Sequence, residues 1–224
     1  MLDRPVLALH AVLHANGFGH LIHVNGKEVG SSVSGTRLLD IWDGLCFSLR
    51  ARCVSVQDKS MKYGLHLRLI HALAYGHNWY GRWDYKFERG SYGNTEEDYR
   101  TALMMIRDTA VAGLLRPDTA QPGVLTMLQK YHHPGEVETV SDLYRLTLDL
   151  LKSTKKGINK SVVAALLKDF TTDYLFGESS GIEDAERLKK RAKRDTEIRR
   201  AAQVLLDCRW FCKDYRQVRR KALF

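Results

Sequence analysis

Along RLLDIWDGLCFSLRAR, Leu38, Leu39, Trp42, Leu45, Cys46 and Leu49 fall at three- and four-residue spacing. That period gathers them on one side of a helix, which must then bury its face against another element. The pattern returns through the second half. YRTALMMIRDTAVAGLL follows Thr95 and Asp98, spaced as a capping box, and should stop near Arg116 and Pro117. A shorter helix is expected over Val124 to His132, between the loop Gln121-Pro122-Gly123 and the breakers Pro134 and Gly135. Ser141 is placed to cap DLYRLTLDLLKS, Asn159 to cap KSVVAALLKDFTTDYLF, and a long basic helix is expected from Glu183 to Tyr215.

The first ninety residues are more mixed. A short helix is expected over Val6 to Ala15, with Leu7, His10, Ala11 and His14 on one face and a turn at Asn16-Gly17. Next, GHLIHVNGKEV alternates around Asn25-Gly26, the signal of a type I′ hairpin. One or two strand residues should open CVSVQDKS, followed by a helix from a box at Ser55 and Asp58 to Tyr63, a stop at Gly64, and a second helix from Leu65 to Tyr75. Beyond Gly76, Trp83, Tyr85 and Phe87 alternate with charged residues as in a two-stranded ribbon. Helix, strand, helix, turn, helix and ribbon is the plan of a winged helix. The expected fold class is mainly α with a small β component (α+β). Its expected parts are a hairpin and winged-helix-like module over 1–94, a helical region over 95–182 and a basic C-terminal helix over 183–224.

Charge is distributed unevenly. The net charge of +9 is concentrated after residue 183, where fourteen Lys or Arg stand between Asp184 and Lys221 against six Asp or Glu. Lys189, Lys190, Arg191, Lys193 and Arg194 form a patch suited to nuclear import or to nucleic acid. The sequence holds no run of about eighteen apolar residues. At the N-terminus, MLDRPVLALHAVLH carries Asp3 and histidines where a signal peptide has a clean apolar core, so neither secretion nor membrane insertion is expected.

Catalytic motifs are poorly represented. NGFGHL supplies G-x-G without a third glycine, VNGKEVG lacks Walker spacing, and no G-x-S-x-G elbow is present. Pairs such as His10 and His14, His20 and His23, or Cys208 and Cys212 have ligand spacing, yet none matches a common zinc motif. No enzyme, no bound metal and no small-molecule substrate are therefore expected. A metal-dependent enzyme built on the N-terminal histidines is the alternative of another class.

The Leu65 to Tyr75 helix offers more. With Leu65, Leu69, Ile70 and Leu73 inward, His66, Arg68 and His71 are expected to face outward, able to reach bases or phosphates. Lys59, Lys62, Arg82, Lys86 and Arg89 would flank them as phosphate contacts. If the module binds protein instead, Trp79 and Tyr80 are the expected aromatic anchors.

The strings HANGFGHLIHVNGKEVG, RLLDIWDGLC, VSVQDKSMKYGLHLRLIHALAYGHNWYGRWDYKFERGSYG, VSDLYRLTLDLL and LLDCRWFCKDY resemble the plant PHD-finger proteins of the male sterility and male meiocyte death group. The resemblance is densest over about residues 10 to 93. It implies a nuclear protein acting on chromatin and transcription during meiosis, tapetum or pollen development, with chromatin-modifying or transcription proteins, or DNA, as expected partners. Family members usually end in a PHD finger whose seven cysteines and one histidine hold zinc. Four cysteines without the pairing cannot build it, so zinc and histone reading are not carried over. A structural protein-interaction scaffold without DNA contact remains the second reading.

Overall fold

A computed structural model describes residues 9–24, 34–59, 61–62, 64–89, 93–114, 122–132, 136–154, 157–176 and 185–216. In chain order the elements begin β1 (Leu9–Leu13), β2 (Phe18–Val24), α1 (Gly35–Ser48), β3 (Cys53–Gln57), β4 (Met61–Lys62), β5 (Leu65–His66) and α2 (Leu67–Tyr75). A 3-10 turn, Trp79–Trp83, leads to β6 (Lys86–Arg89), α3 (Glu96–Arg107), α4 (Val111–Leu114), α5 (Gly123–Tyr131) and α6 (Val140–Lys152). Then come α7 (Lys160–Phe170), a π-helical turn Thr171–Phe176, α8 (Ala185–Asp207) and β7 (Trp210–Asp214). The chain is mainly helical with a small mixed sheet, as its periodicity predicts. It divides into two compact units, one built from 1–58, 80–88 and 210–224, the other from 59–79 and 89–209.

The first unit is a five-stranded sheet in the order β1-β2-β3-β7-β6. β1 and β2 are antiparallel, β2 and β3 parallel through the α1 crossover, and β3 and β7 antiparallel. The turn between β1 and β2 is set by Asn16 and Gly17: Asn16 Oδ1 accepts from the Phe18 N–H at 3.0 Å, and Gly17 sits at φ 83. That positive φ needs glycine's freedom. Helix α1 starts at Ser34, whose hydroxyl accepts from the Arg37 N–H, and buries Leu39, Trp42 and Cys46. Leu21, Val54, Val56 and Phe211 are buried in the strands, each such side chain contributing roughly 1.5–3 kcal/mol. Lys213 lies opposite Val54 and is itself buried; its Nζ donates to both oxygens of Asp43 at 2.7 and 2.8 Å. Tyr215 Oη donates to the same carboxylate at 2.6 Å.

The second unit is helical. α2 packs on α6, α3 on α8, and α5 and α6 on α7. Capping boxes start α3 at Thr95 with Asp98 and α6 at Thr139 with Asp142. Asn159 caps α7 by accepting from the N–H groups of Ser161 and Val162. Tyr144, fully buried, shares a 2.7 Å hydrogen bond with Thr171, whose hydroxyl also donates to the Leu167 carbonyl. Before α2, β4 and β5 form a minimal hairpin that turns through Gly64 at φ 74.

Several expectations are corrected. The described part of Val6 to Ala15 is no helix: Leu9–Leu13 is strand β1, because a paired partner in β2 satisfies its backbone better than an isolated helical turn. Ser55 starts no helix. It lies inside β3, between β2 and β7, and the hairpin β4-β5 follows. Among the described residues, then, neither the first helix of the expected helix-turn-helix nor the succession of a winged helix is found. In place of a ribbon, Trp83 closes the 3-10 turn and β6 joins β7 at the sheet edge. α6 is capped by Thr139, two residues earlier than Ser141, and the C-terminal helix ends at Asp207 because Trp210 to Asp214 pair with β3. The Asn25-Gly26 hairpin and the stops at Arg116-Pro117 and Pro134-Gly135 lie outside the described residues.

Candidate functional site

The residues expected to read DNA lie on α2 and, for His66, at its N-cap in β5, and their packing assigns them otherwise. Arg68 is only 6% exposed, and its Nη2 donates to the Leu206 carbonyl at 2.8 Å, near the end of α8. An arginine there satisfies a carbonyl that has no partner within its own helix. Its Nη1 stands 3.3 Å from His66 Nδ1. Burial lowers the His66 pKa, and the charges of Arg68 and Arg209 lower it further. His66 is therefore neutral at pH 7, with Nδ1 accepting from Arg68. His71 is half-buried with its ring tilted against Tyr75, whose hydroxyl accepts from Lys152 Nζ at 2.7 Å. The outward placement of Arg68 is thus overturned: its charge goes to holding two helices together.

The remaining candidates are dispersed. In the second unit Lys59 and Arg89 are exposed, Trp79 is half-buried, and the Lys62 side chain lies outside the described residues. In the first unit Lys86 is exposed, and Arg82, also exposed, lies 5.6 Å above the Trp83 ring. Tyr80 is 7% exposed and packs against Tyr85 at 6.0 Å between centroids, so it is a core residue and not a free anchor. Lys189, Lys190, Arg191, Lys193 and Arg194 fall on α8 with side chains outside the described residues.

The paired ligands do not converge either. His10 is paired with His23 in the β1–β2 register, the His23 side chain lying outside the described residues; His20 Nδ1 bonds Ser55 Oγ at 2.6 Å, and its ring lies edge-on to His14 at 6.3 Å. Cys208 follows α8 while Cys212 lies in β7, within hydrogen-bonding reach of Cys53. Burial pushes Cys212 and Cys208 up to about 12, Cys46 up to about 11, and Cys53 upward as well. Such groups stay thiols at neutral pH and make poor nucleophiles. Among the described residues no three His, Cys, Asp or Glu are grouped to hold a metal ion, and no helix is long and apolar enough to cross a membrane.

No motif in the sequence announces an open depression of about 450 Å³ in the first unit. The turn 13–17 lines one side, and Leu49, Arg50 and Arg52 line the other. Arg50 occupies a left-handed conformation, φ 54, where α1 ends. The Ala51 N–H donates to the Cys46 carbonyl and the Arg50 N–H to the Phe47 carbonyl, the pair of bonds that closes a helix on a residue usually glycine. The Arg52 N–H donates to the Gly17 carbonyl at 2.6 Å, and a Cβ on Gly17 would meet Arg52 Cγ at 2.9 Å. The basic pair flanking Ala51 directly after a helix was the available signal.

Residues 66–109, from β5 through α2 and β6 to the end of α3, match the family profile described as PHD finger protein MALE STERILITY 1-like, N-terminal domain. The chain is a relative of these PHD finger proteins. It is 40% identical over 145 residues to PHD finger protein MALE STERILITY 1 of Arabidopsis thaliana, covering 63% of this chain and 22% of that protein. It is 39% identical over 161 residues to PHD finger protein MALE MEIOCYTE DEATH 1 of the same plant, covering 67% and 22%. It is 46% identical over 99 residues to PHD finger protein PERSISTENT TAPETAL CELL 1 of Oryza sativa subsp. japonica, covering 44% and 15%. The chain therefore spans less than a quarter of the length of these relatives, none of which is named as an enzyme. No solved structure matches it.

Proposed function

We propose that the protein is a nuclear, chromatin-associated regulator of transcription in plant male reproductive development, acting by binding proteins and needing no cofactor. The observation that carries this is the match of residues 66–109 to the MALE STERILITY 1-like N-terminal domain, with relatives named for male sterility, meiocyte death and tapetal cells. Protein binding is favoured over base reading because the Arg68 guanidinium is buried against the end of α8 and is not available to a groove. DNA contact keeps a narrower basis in exposed Lys59, Lys86, Arg82 and Arg89, which belong to two different units. Lys189, Lys190, Arg191, Lys193 and Arg194 would serve import.

The test is a fluorescent fusion expressed in plant cells, tethered in parallel to a reporter promoter. Nuclear accumulation that is lost when the five basic residues become Ala, and a change in reporter output, are expected. A fusion that stays outside the nucleus and leaves the reporter unchanged overturns the proposal. Titration of labelled duplex DNA separates the two binding modes, since phosphate contact must weaken steeply with salt.

A further inference from the structure

We propose that the depression between the β1–β2 turn and the end of α1 docks an acidic segment of a partner protein, its carboxylates on Arg50 and Arg52 and an apolar side chain against Leu49. The inference deepens the protein-binding reading and rests on it. Charge comes first: Arg50, Arg52 and His14 are exposed around one hollow, and neither arginine has a carboxylate partner among the described residues. By contrast Lys213, the buried cation of this unit, is committed to Asp43.

The backbone conformation points the same way. Residue 50 lies where the chain leaves α1 in the left-handed region, which costs any residue with a Cβ and which glycine would enter freely. An arginine at a helix end usually closed by glycine carries a local backbone strain. Its neighbour is fixed as well. The Arg52 N–H is held by Gly17, its carbonyl accepts from the Tyr215 N–H at 3.0 Å, and its aliphatic stem lies against the turn. Both guanidinium groups thus project from backbone that is already ordered, which lowers the entropy lost on binding.

The apolar flank beside the arginines selects the ligand class. Ile41, Leu45 and Leu49 stand four residues apart along one flank of α1, 45, 47 and 64% exposed, and lead to the arginines. A nucleic-acid backbone offers nothing to such a stripe. A peptide in which acidic and bulky apolar residues alternate, a composition common in disordered activation segments, satisfies both halves of the surface.

The experiment titrates full-length protein into a fluorescein-labelled peptide of Asp pairs alternating with Leu, followed by anisotropy. Controls are the Asn-for-Asp peptide, the Ser-for-Leu peptide and a labelled single-stranded oligonucleotide. Saturable binding is expected, weakened about tenfold or more by R50G, by R52M and by L45S/L49S, since each removes a charged hydrogen bond or the apolar contact. R50G is the decisive variant, because glycine suits the helix end and the protein should melt no earlier than wild type. Wild-type protein that ignores the acidic peptide, or R50G and R52M proteins that bind it unchanged, overturns the proposal. So does binding lost only on neutralising Lys189, Lys190, Arg191, Lys193 and Arg194. An oligonucleotide that binds with the same Arg50 dependence and no need of Leu45 overturns the peptide assignment. The reporter assay is independent: a chain that regulates while the peptide fails removes this site and leaves the broader function standing.

Discussion

Replacing Asp43 by Ala should unfold the first unit far more readily than replacing its partner. The Lys213 side chain is 6% exposed and that of Asp43 is 30% exposed, so the two ends of the ion pair differ in access to water. Without Asp43 the ammonium is left in a nearly dry sheet face opposite Val54, and Tyr215 loses its acceptor. Stranding one charge of a buried pair costs about 3–5 kcal/mol, and the partial exposure of Asp43 argues for about 3. Lys213→Met removes the charge instead. It leaves an apolar chain among apolar neighbours, while Asp43 still accepts from Tyr215 and reaches solvent, so the loss should stay near 1 kcal/mol. Three of the four tryptophans, Trp42, Trp83 and Trp210, lie in this unit, so urea unfolding read by tryptophan fluorescence reports mainly on it. With a slope of about 2 kcal/mol/M, the Asp43→Ala midpoint should fall by roughly 1.5 M and that of Lys213→Met by about 0.5 M. The double variant should recover most of the difference. Equal losses for the two single variants would refute the reasoning, since they would mean that Lys213 reaches water without its carboxylate.

Arg68→Met should lower stability by about 1.5–3 kcal/mol in thermal unfolding, the value of a charged donor on the Leu206 carbonyl, whereas a groove-reading arginine would leave the melting temperature unchanged. Burial raises the Asp142 pKa, but the donors of Thr139 and Arg145 outweigh it and hold the carboxyl below its usual range. Its folded pKa is therefore below the unfolded one, so its contribution is complete above about pH 5 and disappears as pH falls through the folded value. Asp142→Asn should cost up to about 1 kcal/mol at pH 7 and nothing once the carboxyl is protonated, read from urea midpoints across pH. All four cysteines should react slowly with a disulfide reagent at pH 7 and rapidly in urea; a fast thiol in the folded protein would contradict the burial that raises their pKa values.

Where information is local, the sequence was readable. Thr95 with Asp98, Asn159, and the spacing of Leu39, Trp42 and Cys46 each act within a turn or two, and each element stands where its signal is. The misreadings share a non-local cause. Leu9–Leu13 satisfies a helical spacing as well as an alternating one, and only its pairing with β2 decides. Ser55 and Asp58 mimic a cap, yet Val54 and Val56 are drawn into a sheet whose other central strand, β7, lies some 150 residues further along. In and just after β7 the alternation of Phe211 and Tyr215 is masked by Lys213, a charge on the buried face that makes sense only beside Asp43. Arg68 read as a surface cation for the same reason: its acceptor is the carbonyl of Leu206, whose position no periodicity reveals. The depression at Arg50 depends on one backbone dihedral, and dihedrals of non-glycine residues are not written in composition.

Placing β7 between β3 and β6 also sets a schedule for biosynthesis. β3 emerges from the ribosome early, but its antiparallel neighbour begins only at Trp210. At about 5–20 residues per second, that leaves one edge of the nascent β3 unsatisfied for roughly 8–30 s. During that interval Val54 and Val56 stand on an open strand edge, the kind of surface that recruits other strands. A nascent chain stalled before residue 210 should consequently be a client of chaperones that bind exposed strands, and release of the complete chain should end that dependence.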